Sequence, residues 1–174
     1  RNFLGFTYPK ELIEWVIVDD GTDSLEEIVP RDSRVKYYHL PDKISISEKR
    51  NKLVELAEND YIVFMDDDDY YPPESLIARI KSLLKYQQQG VECVGCTDVA
   101  NFDILHNKCA ITCNGSNYLC ESSLAFTRNF WKDRPFPLNC HFGEYKYFLE
   151  YRQDKIRTIP FQFVTIALYH GHNI

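Results

Sequence analysis

Four consecutive aspartates, Asp66 to Asp69, directly follow the apolar run Tyr61 to Met65. Such a run is typical of a strand buried in a sheet. Adjacent carboxylates repel one another, so they need a cation, bound protons or full solvation to coexist. Oxygen ligands suit Mg²⁺ or Mn²⁺, and Mg²⁺ typically combines one or two carboxylates with substrate phosphates. The segment therefore predicts a divalent-cation site, and the alternative is a solvated acidic loop.

Two other acidic motifs compete for the same segment. A calcium-binding EF-hand loop needs Gly at its sixth position and Glu at its twelfth. Counted from Asp66, these positions hold Tyr71 and Ile77, so that hypothesis fails. The segment also resembles the Asp-x-Asp of phosphatases that use an aspartate nucleophile, although Tyr70 stands where that class usually has Thr or Val. A phosphatase or phosphotransferase with Asp66 as nucleophile therefore stays open as an alternative.

The elements that must position these aspartates alternate along the first half of the chain. Apolar runs predict strands over 14–18, 35–40 and 61–65, and helical patterns predict helices over 24–28, 47–58 and 73–90. The last helix is expected to bury a stripe of Leu76, Ile77, Ile80, Leu83 and Leu84. This alternation predicts an α/β fold with a mostly parallel sheet. A second acidic pair, Asp19-Asp20, ends the first strand, and open sheets of this kind bind ligands beyond the carboxyl ends of their strands.

The second half of the chain has a less regular pattern. It predicts strands over 91–96, 108–113, 156–159 and 163–168, a hairpin turn at Asn114-Gly115, a helix over 142–152 and a terminal loop. We see no linker or repeat, so the prediction is a single domain over 1–174.

Composition excludes several classes of protein. The 174 residues carry a formal net charge of −6 and a sequence pI near 5.4, which is the wrong sign for a phosphate-backbone reader, so nucleic acid is not expected as a partner. The longest apolar run, Phe161 to Tyr169, is too short to span a membrane. The chain opens at Arg1 without an initiator Met or an apolar leader, so we expect a piece of a longer protein that could carry further domains.

The six cysteines form two close pairs, Cys93 with Cys96 and Cys109 with Cys113, besides Cys120 and Cys140. The pairs mimic a zinc site, but both lie in predicted strands with apolar neighbours. Free, buried thiols are the favoured interpretation for a chain of this size. The thiols and the absent leader favour a cytoplasmic location.

Four motifs occur in an order that identifies a family resemblance. They are the segment Trp15 to Ser24, the segment Ser47 to Asn51 followed by Asp60 to Asp69, Gly143-Glu144 followed by Phe148 and Arg152, and His170-Gly171-His172-Asn173. Together they resemble the signatures of family 2 glycosyltransferases with the GT-A fold. The resemblance implies a Rossmann-like, three-layer α/β/α sandwich around a mostly parallel central sheet. It also implies that the family's first strand precedes Arg1. Residues 1–98 would then bind the nucleotide sugar and the metal, and residues 99–174 the acceptor.

The resemblance also implies roles for individual residues. Asp68 would be the main contact of a Mn²⁺ or Mg²⁺ ion, with Asp66 nearby and His170 as a further protein ligand; His172 could exchange roles with His170. Asp20 would accept a hydrogen bond from a uracil-type base. Asp19 would also bind the donor, or it would be structural at the same strand end. Arg50 would face the diphosphate or brace the aspartates, and Asp67 is grouped with the donor-binding residues.

Glu144 is the candidate catalytic base of an inverting transfer from a nucleotide sugar, most simply a UDP-sugar, to the hydroxyl of a glycan or another acceptor. Such a transfer needs one carboxylate to remove the proton of the attacking hydroxyl. Local sequence alone favours a plainer interpretation, an acidic residue at a helix N-terminus, and Tyr145 stands where the family usually has Asp. Trp131, Phe136 and the segment 145–148 could stack on an acceptor sugar or pack in the core. A non-catalytic sugar-nucleotide-binding module is the third hypothesis.

Overall fold

The structure is a computed structural model that describes residues 2–113, 115 and 119–171. The chain forms five α-helices and nine strands over these residues, with short 3-10 turns between them. It divides into two compact units that are interleaved along the sequence. Unit 1 comprises 1–8, 63–127 and 151–174, and unit 2 comprises 9–62 and 128–150.

Unit 1 is built on two small sheets. One has the strand order β3–β7–β4–β8, formed by Tyr61–Val63 (β3, whose last residue opens the unit), Ala125–Thr127 (β7), Cys93–Gly95 (β4) and Ile156–Thr158 (β8). The other has the order β6–β5–β9, formed by Lys108–Cys113 (β6), Asp98–Asp103 (β5) and Ile166–Tyr169 (β9). In each sheet a strand from the end of the chain pairs in parallel: β8 pairs with β4, and β9 pairs with β5. The antiparallel pairs are β7 with β4 and β6 with β5. Helices α1 (Asn2–Gly5) and α3 (Ser75–Gln87) complete the unit.

The core of unit 1 lies between α3 and the four-stranded sheet. Leu83, Val91, Val94, Ala125 and Val164 are almost fully buried in one cluster. α3 contributes Ile80 and Leu83 to the buried surface, as its apolar period predicts, but Leu84 is 45% exposed. Arg79 and Ser75 occupy buried positions on the same helix instead. The predicted stripe is therefore wrong at Leu84, because α3 turns a polar pair toward the interior.

Unit 2 contains the parallel pair of β1 (Trp15–Asp19) and β2 (Val35–His39), with Trp15 opposite Val35 and Asp19 opposite His39. Its helices are α2 (Ile46–Leu56), α4 (Arg128–Asp133) and α5 (Glu144–Leu149). α2 packs on β1 and begins with a capping box: Ser45 accepts the backbone N–H of Glu48, whose carboxylate accepts that of Ser45. Arg128 donates to the carbonyls of Val54 and Ala57 at the other end of α2, so both ends are satisfied within the unit.

Several sequence-based boundaries are corrected by the structure. The helix expected over 24–28 is absent, and the chain forms a turn there in which Ile28 N–H donates to Leu25 C=O. The Leu25 N–H donates to the side chains of Asp19 and Tyr37 rather than entering a helix. The strand expected over 163–168 is split into a 3-10 turn, Phe161–Phe163, and β9. Strands β5 and β7 and helices α1 and α4 were not predicted, because β5 lacks a clear period and the other three are short. The predicted turn at Asn114-Gly115 falls partly outside the described residues.

All six cysteines are free thiols, as expected, but their burial is uneven. Cys93 and Cys96 are buried, whereas Cys109 and Cys113 are exposed on β6. β6 lies at the edge of its sheet, which leaves its side chains accessible. Over the part of the chain that the structure describes, no helix is both long enough and apolar enough to cross a bilayer.

Candidate active site

The acidic loop, defined as Asp66–Asp69, leaves β3 in unit 1 and distributes its carboxylates between solvent and interior. Asp67 and Asp68 are exposed, and Asp66 and Asp69 are half-buried. Burial, reinforced by the neighbouring carboxylates, raises the pKa of Asp69 to about 6. The expected repulsion is thus relieved by solvation at two positions and by easier protonation at a third.

Asp68 lies beside His170, the residue that directly follows β9. The distance from His170 Nε2 to Asp68 Oδ2 is 3.3 Å, and 32% and 42% of the two side chains are exposed. The contact joins residues 102 positions apart in sequence. Of the predicted metal ligands, the structure therefore brings Asp68 and His170 into direct contact. His172, the other histidine considered, lies outside the described residues.

Asp69 fixes the strand that carries His170. Its Oδ1 accepts the Leu168 N–H at 3.1 Å, and Tyr70 exchanges two backbone hydrogen bonds with Ile166. β9 is therefore bound to the loop through Asp69 and Tyr70, two residues to which sequence reasoning assigned no role. A carboxylate that holds a strand cannot be separated by sequence from one that faces a ligand.

The donor set tests whether a divalent cation suits this place. Within 2–113, 115 and 119–171, no group of three His, Cys, Asp or Glu side chains is close enough to hold a metal on its own. A carboxylate and an imidazole side by side nevertheless form part of a Mn²⁺ or Mg²⁺ site whose other positions go to water and substrate phosphates. The residues present fit a cation that is bound together with a phosphate-bearing substrate.

In unit 2, Asp19 and Asp20 follow β1 and have different partners. Asp19 accepts the Tyr37 hydroxyl at 2.6 Å and the Gly21 N–H at 2.9 Å, and these hydrogen bonds lower its pKa. Burial raises the pKa of Asp20, but the Lys49 ammonium at 2.5 Å and the Ile44 N–H outweigh burial and lower it. Both carboxylates are therefore held ionised. Asp19 braces its own turn, and Asp20 is paired with Lys49.

The partner of Arg50 is Glu144. Arg50 Nε lies 2.9 Å from Glu144 Oε1, and only 8% and 3% of the two side chains are exposed. Both residues belong to unit 2, Arg50 on α2 and Glu144 at the first position of α5. Sequence reasoning selected both residues and did not foresee their contact.

The backbone and an aromatic cluster fix the position of Glu144. Gly143 has φ 67°, a left-handed conformation that side chains disfavour, and it sets the turn into α5. Phe148 of α5 stacks on Phe136 with ring centroids 4.0 Å apart and meets Phe130 edge-on at 5.2 Å. Phe136 and Phe148 are 2% and 0% exposed. These two rings are therefore core, and the alternative of an acceptor platform is wrong for them.

Unit 1 also contains an apolar pocket of about 710 Å³ on the three-stranded sheet. Its walls come from β5, β6 and β9 together with Tyr70 and Phe161. The volume falls within the range of about 300–1,000 Å³ that is usual for small-molecule sites.

The sequence-level selection missed Lys49, Tyr37 and Tyr71. Lys49 pairs with Asp20, Tyr37 with Asp19, and the Tyr71 hydroxyl accepts the Asp66 N–H at 2.9 Å. Only Lys49 could have been selected from the sequence, because it lies within the family-like segment Ser47 to Asn51. The two tyrosines act through single hydroxyl groups, and no local pattern marks them.

Comparison with known proteins identifies the family. The model of "Glycosyl transferase family 2" matches residues 4–170. The chain belongs to glycosyl transferase family 2. An uncharacterized glycosyltransferase of Haemophilus influenzae is 31% identical over 78 residues, which are 42% of this chain and 31% of that protein. The chain thus spans less than a third of that relative's length.

Solved structures share the fold. S. aureus TarS 1–349 in complex with UDP-GlcNAc aligns with a TM-score of 0.73 at 18% identity, over 99% of this chain and 54% of that one. The mannosyltransferase PcManGT of Pyrobaculum calidifontis, in complex with GDP-Man and Mn²⁺, aligns with a TM-score of 0.71 at 16% identity, over 99% and 52%. The predicted family and the α/β GT-A fold are confirmed. Family membership favours sugar transfer over the aspartyl phosphatase.

Proposed function

We propose that this family 2 chain carries the donor-binding and catalytic machinery of a metal-dependent, inverting glycosyltransferase. It would move a sugar from a nucleotide donor, a UDP-sugar in the simplest case, to a hydroxyl of a glycan or other acceptor. The observation that carries the proposal is the contact between Asp68 and His170, which joins two of the family-like motifs within unit 1. The complexes of TarS with UDP-GlcNAc and of PcManGT with GDP-Man and Mn²⁺ support this class of donor.

Asp68 and His170 would hold the cation, with Asp66 and Asp67 beside them. A bound divalent cation would neutralise negative charge on the leaving nucleoside diphosphate. Imidazole and carboxylate together favour Mn²⁺ over Mg²⁺, because nitrogen ligands suit the transition metal better. The Asp68 side chain is 42% exposed, which leaves it accessible to a cation from solvent.

Glu144, held in position by its ion pair with Arg50, would act as the general base. In this role Glu144 would accept the proton of an acceptor hydroxyl. We therefore assign Glu144, and not the diphosphate, as the first partner of Arg50. Asp20, held in place by Lys49, would accept a hydrogen bond from the base of the nucleotide, and Asp19 would keep its turn in shape.

We propose that the donor binds within 1–98, that His170 adds a metal ligand from the second half, and that the acceptor is recognised within 99–174. Nearly all of the apolar pocket on β5, β6 and β9 falls in the second range. It would suit an apolar part of an acceptor.

The first test is calorimetric titration of UDP, and of GDP for comparison, into chelated protein with and without Mn²⁺. Wild type should bind UDP in a Mn²⁺-dependent manner, and Asp68→Ala should lose that dependence. The matched control is Asp154→Ala, which changes an exposed aspartate of the same unit. Wild-type binding that ignores Mn²⁺, or an Asp68→Ala variant that keeps the dependence, would overturn the metal assignment.

A transfer assay then separates the enzyme from a binding module. Glu144→Gln should lower kcat by about 10²- to 10⁴-fold, which is the usual contribution of a general base. Its nucleotide affinity should stay within about twofold of the wild-type value. If wild type binds the nucleotide and shows no turnover, the non-catalytic hypothesis replaces ours. If Glu144→Gln keeps wild-type turnover, the assignment of Glu144 as the base is wrong.

A further inference from the structure

We propose that Tyr71 and Arg79, two buried residues of unit 1, are positioning residues that set the backbone of the acidic loop for cation binding. The inference rests on the proposed function, because it concerns the same loop. It adds two residues that lie in none of the four family-like motifs. They act through Asp66 and the carbonyl groups around it.

The Tyr71 hydroxyl binds the start of the acidic loop, although Tyr71 itself lies two residues after the loop ends. It accepts the Asp66 N–H at 2.9 Å and donates to the Ser122 carbonyl at 3.2 Å. Tyr71 is 2% exposed, so water does not compete for these bonds. Tyr71 thus links the backbone at the start of the loop to the segment that precedes β7.

Arg79 donates hydrogen bonds to the backbone of the same region. Its Nη1 donates to the carbonyls of Phe64 at 2.8 Å and Ser122 at 3.4 Å, and its Nη2 donates to Ser75 Oγ at 3.0 Å. The guanidinium carbon lies 5.3 Å from the centroid of the Tyr71 ring. Arg79 is 0% exposed, and burial lowers its pKa to about 10, which leaves it protonated at neutral pH. A buried positive charge therefore lies under the strand end that delivers the four aspartates.

These contacts differ from ordinary core packing in their direction. Two of them reach the backbone at the start of the loop, at the Asp66 N–H and the Phe64 carbonyl. The Ser122 carbonyl accepts from both side chains. Burying an arginine is costly unless its donors are satisfied. The donors of Arg79 reach the carbonyls of Phe64, Ser122 and Ser75 and the Ser75 hydroxyl. A cation site needs ligands held in place by such outer partners, and their loss typically weakens metal binding by about 10- to 100-fold.

Tyr71→Phe is the decisive variant, because it removes one oxygen and keeps the ring under Arg79. Its matched control is Tyr86→Phe, since Tyr86 packs against the apolar core of the same unit. We would measure Mn²⁺ affinity by electron paramagnetic resonance, with and without UDP, and hydrogen exchange of the Asp66 amide in the metal-free chain. Urea unfolding would report general stability.

Tyr71→Phe should weaken Mn²⁺ binding by about 10-fold or more and speed exchange of the Asp66 amide, and Tyr86→Phe should do neither. Arg79→Lys should act in the same direction, because a lysine has one nitrogen in place of the fork. Unchanged Mn²⁺ affinity or unchanged amide exchange in Tyr71→Phe would overturn the inference, as would equal effects in Tyr86→Phe.

Failure of the proposed function gives a different result. If the wild-type chain binds no Mn²⁺, the metal assignment falls, and the exchange measurement still decides the positioning role. Faster exchange confined to the acidic loop would support the role of Tyr71, and exchange equal to wild type would refute it.

Discussion

Replacing Arg50 by Met should destabilise the protein sharply, and replacing Glu144 as well should add little further loss. The reason is the buried ion pair, in which Arg50 Nε and Glu144 Oε1 are 2.9 Å apart and the side chains are 8% and 3% exposed. Removing one member leaves the other as an uncompensated buried charge. Removing both leaves none.

The expected magnitude follows from this geometry. Breaking a buried pair by removing one partner costs about 3–5 kcal/mol. An attraction between unit charges about 4 Å apart at an effective dielectric constant near 20 is about 4 kcal/mol, which agrees with that range. Arg50→Met and Glu144→Gln should each cost about this much. The double variant should cost less than their sum by about 2–4 kcal/mol.

Urea unfolding of the wild type, the two single variants and the double variant measures the coupling. Tryptophan fluorescence is a suitable signal, since Trp15 and Trp131 both belong to unit 2, as the ion pair does. Arg31→Met is the control for losing an exposed arginine of the same unit, and it should change stability by less than about 0.5 kcal/mol. If the two single effects add within about 0.5 kcal/mol, the residues are energetically independent and our explanation of how Glu144 is held is wrong.

Two further predictions concern polar groups that stabilise unit 2. Glu14 accepts the backbone N–H groups of Glu58 and Asn59 and pairs with Lys36 at 2.7 Å; burial raises its pKa, but these partners outweigh burial and lower it. Glu14→Gln should therefore cost about 1–3 kcal/mol at pH 7. The gap from wild type should be complete above the ordinary glutamate pKa and should close as pH falls through the lowered pKa; a gap that widens in acid in urea titrations would contradict this. Asn51 accepts Trp131 Nε1–H and the Phe136 N–H and donates to the Phe136 carbonyl, so Asn51→Leu should cost about 3 kcal/mol or more and Asn51→Asp, which keeps both acceptor contacts, less. Equal losses for Leu and Asp in thermal unfolding would show that these hydrogen bonds contribute little.

The amino-acid sequence was sufficient for the order of the main elements and for the residue types at their ends. β1, β2, α2, α3 and β6 lie close to their predicted positions, because apolar period and capping residues act over a few neighbours in the chain. The same local reasoning failed at 24–28, where the chain forms only a turn and the Leu25 N–H donates to side chains of β1 and β2. It also failed at Leu84, since a helical period cannot reveal that α3 buries Arg79 and Ser75.

For the candidate site, the sequence determined which residues to consider, and only the tertiary structure decided their partners. The motifs selected Asp68, His170, Arg50 and Glu144 by type and order. That Asp68 meets His170 across 102 positions, that Arg50 holds Glu144, and that Tyr71 and Arg79 lie under the acidic loop became visible only in the folded chain. The physical reason is that a hydrogen bond or ion pair depends on distance and burial in space, and local sequence pattern encodes neither for residues far apart in the chain.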